Sequence, residues 1–165
     1  MIAKIKQYPI LSLIILAVVL YLPSFFVFFS NDDWYHLRIS QIDSIGQFIN
    51  FFSFTPNDQT TPLYRPLSTQ VVFFVMQTFF GLEVFFYRLL MMVVFCSTLY
   101  LIYKLVYLLS NNKNIALISA FVYLFSSTHF SRLFYFSTIQ DVVKYYVPAK
   151  VMCDLGDLTF QQTVC

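Results

Sequence analysis

Long apolar runs alternate with polar segments along this chain, and their lengths set the first expectations. Tyr8 to Phe29 is apolar apart from Ser12, Ser24, Pro9 and Pro23. A helix needs roughly 20 such residues to cross the hydrocarbon core of a bilayer. Lys4 and Lys6 precede the run and Asn31-Asp32-Asp33 follow it. A cleaved signal peptide would have a shorter apolar core and a small-residue cleavage site. This run instead ends in Ser24-Phe25-Phe26-Val27-Phe28-Phe29-Ser30. The reading is a retained anchor, with its amino terminus on the cytoplasmic side by the positive-inside rule.

A second run, Phe85 to Leu109, carries Arg88 near its start and Lys104 near its end, both expected to snorkel toward the interfaces. Ser110-Asn111-Asn112-Lys113-Asn114 then breaks the pattern, and Ile115 to about Phe130 forms a third run. Lys104 and Lys113 flank the short break and mark it as cytoplasmic. The run Leu67 to Phe80 is too short to cross comfortably. It is read as lying on, or dipping into, the membrane within one long outer loop, Ser30 to Val84.

Inside that loop Leu37, Ile42, Ile45, Ile49 and Phe52 recur at roughly helical spacing, as in an interfacial amphipathic helix. Asn31 or Asp32 is the expected cap and Gly46 the expected break. Pro56, Asn57, Asp58, Pro62 and Pro66 mark turns. The expected fold is an all-α integral membrane protein. It has about three transmembrane helices (8–29, 85–109 and 115–130) and amphipathic juxtamembrane helices in the outer loop 30–84. Residues 1–143 form this membrane region, and 144–165 a polar tail of unknown character.

Composition agrees with the pattern. The chain is 59% hydrophobic and 11% charged, with a mean hydropathy of +0.71, which excludes an ordinary soluble domain and a disordered one. A net charge of +2 gives no footprint for nucleic acid. Cys96 lies in an apolar run, while Cys153 and Cys165 have no zinc-like spacing, so no structural disulfide or zinc site is expected. With glycine only at 46, 81 and 156, neither a dinucleotide fingerprint nor a Walker A loop can be written.

Candidate chemistry therefore gathers at the outer membrane surface. A carboxylate among aromatic residues can act as a general base toward a hydroxyl, and Asp32 or Asp33 is placed for this. The same pair could equally be a solvated helix cap. His36, at i+4 from Asp32, would share a helix face with it and could share a divalent metal with it, or stand there simply as a polar residue of that face. In Tyr64-Arg65-Pro66-Leu67 the guanidinium suits a lipid phosphate, or simple anchoring to anionic lipid. His129 and Arg132 close the third run, and Asp141 follows.

The order of these features is Asn31-Asp32-Asp33-Trp34-Tyr35-His36-Leu37, Tyr64-Arg65-Pro66-Leu67, Phe79-Phe80-Gly81-Leu82, Tyr87-Arg88-Leu89, a basic turn, Thr128-His129-Phe130 and Ser137-Thr138-Ile139-Gln140-Asp141. Over Lys4 to about Asp141 it resembles the amino-terminal third of the GT-C glycosyltransferases. The likeness is to the protein O-mannosyltransferase and aminoarabinose-transferase branch and related bacterial membrane proteins. It implies a catalytic aspartate at Asp32 or Asp33 and a second acidic residue at Asp141. Tyr64, Arg65, His129, Arg132 and His36 would then bind substrate, with Arg65 or His129 on the phosphate. It further implies a polyprenyl- or dolichyl-phosphate sugar donor, which accounts for the missing nucleotide motifs, and the bacterial cytoplasmic membrane as the location. Two departures stand out. Family members have around a dozen spans, and after Asp141 they continue into a hydrophobic helix where this chain has Lys144, Lys150, Asp154, Asp157, Gln161 and Gln162. The expectation is the amino-terminal portion of a longer enzyme. The alternative is a non-catalytic, truncated membrane protein or assembly partner.

Overall fold

The computed structural model describes residues 9–55, 66–126, 132–139, 141, 144 and 146–154, and all regular structure among them is helical. Helix α1 (Pro9–Tyr21) continues into a 3₁₀ turn, Leu22–Phe26, whose first positions hold Pro23. A proline is tolerated there because the first N–H groups of a helix have no internal partner. Val27 is already extended, at φ −88° and ψ 123°, so the helical part of the first run stops at Phe26 rather than Phe29. This early exit leaves the carbonyls of Val27 and Phe28 outside any helix.

Helix α2 (Asn31–Ile39) is capped by Ser30, not by Asn31 or Asp32 as expected. The Asp33 N–H donates to Ser30 Oγ at 3.5 Å and the Ser30 N–H donates to Asp33 Oδ2 at 3.1 Å, a reciprocal capping box. The expected break at Gly46 falls instead at residues 40–44, and Gly46 lies within α3 (Ile45–Asn50). The Ser44 hydroxyl accepts from the Gln47 N–H at 3.3 Å, and a capped start here outweighs the weak helix propensity of glycine.

The short apolar run is helical over its whole length. A π-turn, Leu67–Val71, closed by the Val71 N–H on Pro66 O at 2.9 Å, runs into α4 (Val72–Phe80). Gly81 ends it at φ +58° and ψ −130°, donating its N–H to Gln77 O at 2.9 Å. A Cβ at Gly81 would meet nothing within 4 Å, so the only penalty of a side chain is backbone strain. Gly81→Ala is expected to cost about 1–3 kcal/mol in equilibrium unfolding in detergent. An unchanged stability would show that the turn relaxes freely.

Helix α5 (Val84–Ser110) has 27 residues and matches its predicted span to one residue at each end. Asn111 stops it in the left-handed region, at φ 48° and ψ 25°, and the Asn112 side chain caps α6 (Lys113–Leu124). With 12 residues, α6 is about 18 Å long, short of the roughly 30 Å a crossing requires. Its helix ends at Leu124, so the predicted third span is met only in part, and 127–130 lie outside the described residues. A 3₁₀ turn, Phe136–Thr138, and helix α7 (146–154) complete the described chain.

Helices α5 and α6 form an antiparallel hairpin, and α1 packs against both. Small residues at the contact, Ala17, Ala116 and Ala120, are fully buried and let the backbones approach. Tyr21 Oη donates to Leu124 O at 3.0 Å and its ring meets Phe95 edge-on at 5.4 Å. The exit of α1, the start of α5 and the end of α6 therefore share one end of the bundle. The segment read as a polar tail also folds back. Cys153 is buried in α7 with its Sγ donating to Leu101 O at 3.6 Å, which lays α7 alongside α5. Cys96 and Cys153 are free thiols.

Two helical segments, Pro9–Phe26 and Val84–Ser110, are long and apolar enough to cross a membrane. Only 17% and 28% of their apolar windows are buried, which sets them apart from the core helices of a soluble protein.

Candidate functional site

The two adjacent carboxylates part company at the start of α2. Asp32 points to the surface, while Asp33 is 0% exposed. Asp33 is committed three ways. Its Oδ2 accepts from the Ser30 N–H, its Oδ1 accepts from the Ser137 N–H at 2.7 Å, and Arg88 Nη2 stands 3.9 Å from Oδ2. The last distance is a charge contact rather than a hydrogen bond.

Arg88 does not snorkel as expected. It is 1% exposed, inside the bundle end. The freed carbonyls explain why: Arg88 Nε donates to Val27 O at 3.4 Å, and Nη2 donates to Val27 O and Phe28 O at 3.2 Å each. A guanidinium has five N–H donors in a planar fork, which lets one side chain serve two carbonyls and face a carboxylate. Arg88 Nη1 is buried with no hydrogen-bond partner among the described residues. The result is a cross-link between the α1 exit, the α2 cap, the first turns of α5 and the 3₁₀ turn at Ser137.

Aromatic rings seal this junction. Phe136 meets Phe73 and Tyr87 edge-on at centroid distances of 4.9 Å each, and Phe29 meets Tyr87 at 5.0 Å. Outside it, Trp34 (42%) and Tyr35 (47%) are exposed beside Asp32, with Trp34 5.9 Å from the exposed ring of Phe28.

His36 shares α2 with both aspartates, half-buried, its ring 5.2 Å from Phe73. Its Nδ1 is buried and has no hydrogen-bond partner among the described residues. Burial lowers the His36 pKa below its ordinary 6.5, and the charges of Asp33 and Asp32 offset only part of that. The depressed folded-state pKa fixes the sign: stability from neutral His36 is present above about pH 6.5 and is lost as pH falls through the lower folded value. Accordingly, His36→Phe should flatten the loss of thermal stability between about pH 7 and pH 5. An unchanged pH profile would place His36 in solvent.

Among the remaining predicted residues, Arg132 Nε lies 3.9 Å from Asp141 Oδ2, with side chains 22% and 38% exposed. The structure thus pairs two residues that the sequence treats separately. Ser137 brings their segment to Asp33. Tyr64, Arg65 and His129 lie outside the described residues. No group of three metal-ligating side chains occurs among the described residues, so Asp32 and His36 are not joined by a third ligand.

Sequence reasoning missed Ser30, Arg88 and Ser137 as members of the site. Ser30 and Asp33 carry a readable signal, the spacing of a capping box. Arg88 carries a weaker one, a charge within the first turns of an apolar helix, which asks for a partner. Ser137 contributes only its backbone and has no signal in sequence. Compared with known proteins, the chain matches no family model, no curated protein and no solved structure.

Proposed function

We propose that the chain is a membrane-inserted helical region whose outer end activates an acceptor hydroxyl in a glycosyltransferase using a polyprenyl-phosphate sugar. In this reading α1 and α5 span the bilayer and α6 completes a third pass together with the residues that follow it. Val19, Val93, Ile118 and Val122 are each more than half exposed, and lipid is the solvent that suits such faces.

The observation that carries the catalytic part is the division of the aspartate pair. Asp33, buried and held by Arg88, Ser30 and Ser137, positions the first turn of α2. Asp32 is left exposed beside Trp34 and Tyr35, whose faces suit a sugar ring. As general base Asp32 takes the acceptor proton, the acceptor oxygen bonds to the anomeric carbon, and the lipid phosphate leaves with the electron pair of the broken bond. Fixed cations stabilise the charge that develops on the phosphate. Arg65 and His129 are the residues proposed for that role.

The test is transfer from a polyprenyl-phosphate sugar in membranes carrying the full protein. Asp32→Asn should lower transfer by about 10²–10⁴-fold and leave thermal stability unchanged. Full transfer by this variant would remove Asp32 from the mechanism. The Arg132–Asp141 pair favours a second reading, a non-catalytic membrane protein in which these charges are structural. Transfer absent from the parent protein as well as the variant would support it.

A further inference from the structure

Helix α4 has two apolar faces, one packed and one exposed. The inner face presents Phe73, fully buried, to the ring of His36 at 5.2 Å and to that of Phe136 at 4.9 Å. The outer face carries Val75 (40% exposed) and Phe79 (75% exposed) one turn apart. A water-facing surface normally sets charges opposite the core stripe. Here no charged residue occurs between Leu67 and Gly81, and Thr69 and Gln70 are turned inward, each 2% exposed. The exposed Thr78 donates its hydroxyl back to Phe74 O at 2.8 Å, so it asks nothing of water.

Continuity identifies what covers the outer face. Phe79 meets the ring of Phe80 at 6.4 Å, and Phe80 stacks on Phe86 at 4.3 Å. Phe86 meets Phe85 at 5.6 Å, and Phe85 meets Phe25 at 5.6 Å. Phe85 and Phe86 open the apolar helix Val84–Ser110, and Phe25 lies at the end of Pro9–Phe26. One aromatic band therefore runs from α4 onto both helices long enough to cross a membrane, and the solvent of those helices reaches Phe79 as well. Glu83 fixes the depth. This exposed carboxylate stands at the N-cap of α5, three residues after Phe80, and a charge there belongs among headgroups rather than in hydrocarbon. Phe79 and Phe80 then lie at the boundary of headgroups and acyl chains, where the apolar faces of interfacial helices insert.

We propose that α4 docks its Val75–Phe79 face on the bilayer surface, and that this contact, relayed through Phe73, holds the aspartate junction together. The bilayer is then a partner of the site and not only its surroundings. Lifting α4 from lipid withdraws Phe73 from His36 and Phe136, and beside Phe136 the Ser137 N–H ties Asp33.

This inference rests on the membrane reading of the chain, and the experiment separates the two. Trp34 is the single tryptophan, so probes are introduced into Trp34→Phe protein as Val75→Trp, Phe79→Trp or, within α5, Val93→Trp, each at an exposed position. The full protein is reconstituted into phosphatidylcholine liposomes brominated near either the glycerol or the methyl end of the acyl chains. Both α4 probes should be quenched about twice as strongly by the shallow bromines as by the deep ones, and Val93→Trp more by the deep ones. In the otherwise native chain, Phe79→Glu should accelerate amide exchange at Ser137 about tenfold. At a water-facing position as exposed as Phe79 the same change is close to neutral. With Val93→Trp quenched by bromine, α4 probes reached by aqueous iodide instead, or by neither quencher as under a second protein, would overturn the docking alone. Docked probes with Ser137 exchange unchanged in Phe79→Glu would overturn the hold on the junction. Val93→Trp untouched by bromine would overturn the membrane reading and the docking together.

Discussion

Replacing Arg88 with Met should destabilise the folded chain by about 3–5 kcal/mol. Arg88 and Asp33 have fully buried side chains, so the substitution leaves a carboxylate with no counter-charge and no water. It also removes every side-chain donor seen on the Val27 and Phe28 carbonyls. Met fills most of the vacated volume, which isolates the electrostatic loss from a cavity. Adding Asp33→Leu should recover part of the loss, because no charge then remains buried. The recovery is incomplete, since the N–H groups of Ser30 and Ser137 lose their acceptor, at about 1–3 kcal/mol for each one left unsatisfied. Equilibrium unfolding in mixed micelles of the two single variants and the double variant measures the coupling directly. Additive losses would mean that Arg88 and Asp33 do not act as a pair.

The second large effect is expected at Phe136. It is fully buried and packs edge-on against both Phe73 and Tyr87, so Phe136→Ala should cost about 3–5 kcal/mol. The neighbouring Ser137 N–H is one of the three ties on Asp33, so the damage spreads to the junction. Amide exchange at Ser137 should accelerate in this variant, while the α5–α6 hairpin around Ala120 keeps its protection. Uniform acceleration along the chain would show global loosening instead.

How far the sequence reveals this arrangement depends on the kind of interaction. Helix α5 is legible to one residue at each end because a long apolar run between Glu83 and Asn111 leaves one periodic solution. The helical run from Leu67 to Phe80 is equally legible, although its buried Phe73 is not. Caps are harder: Ser30, Asn31 and Asp32 are all good N-cap types, and the choice of Ser30 depends on the reach of Asp33 back to its N–H. The burial of Arg88 is not written locally at all. It depends on Pro23 ending α1 early enough to free two carbonyls 60 and 61 positions before it. The return of α7 onto α5 was likewise hidden, because Lys144, Lys150 and Asp154 give that segment a polar average while Ala149 and Cys153 form its buried face.

Sidedness ties the proposed function together, since that proposal puts the aspartate junction on the outer face and the α5–α6 turn on the cytoplasmic face. In protein with Cys96, Cys153 and Cys165 replaced by Ala, single cysteines are introduced as Asp32→Cys or Asn112→Cys and treated with a membrane-impermeant maleimide. Asp32→Cys should label in intact cells, and Asn112→Cys only after permeabilisation. Labelling of Asn112→Cys in intact cells, with Asp32→Cys protected until the membrane is opened, would contradict the arrangement.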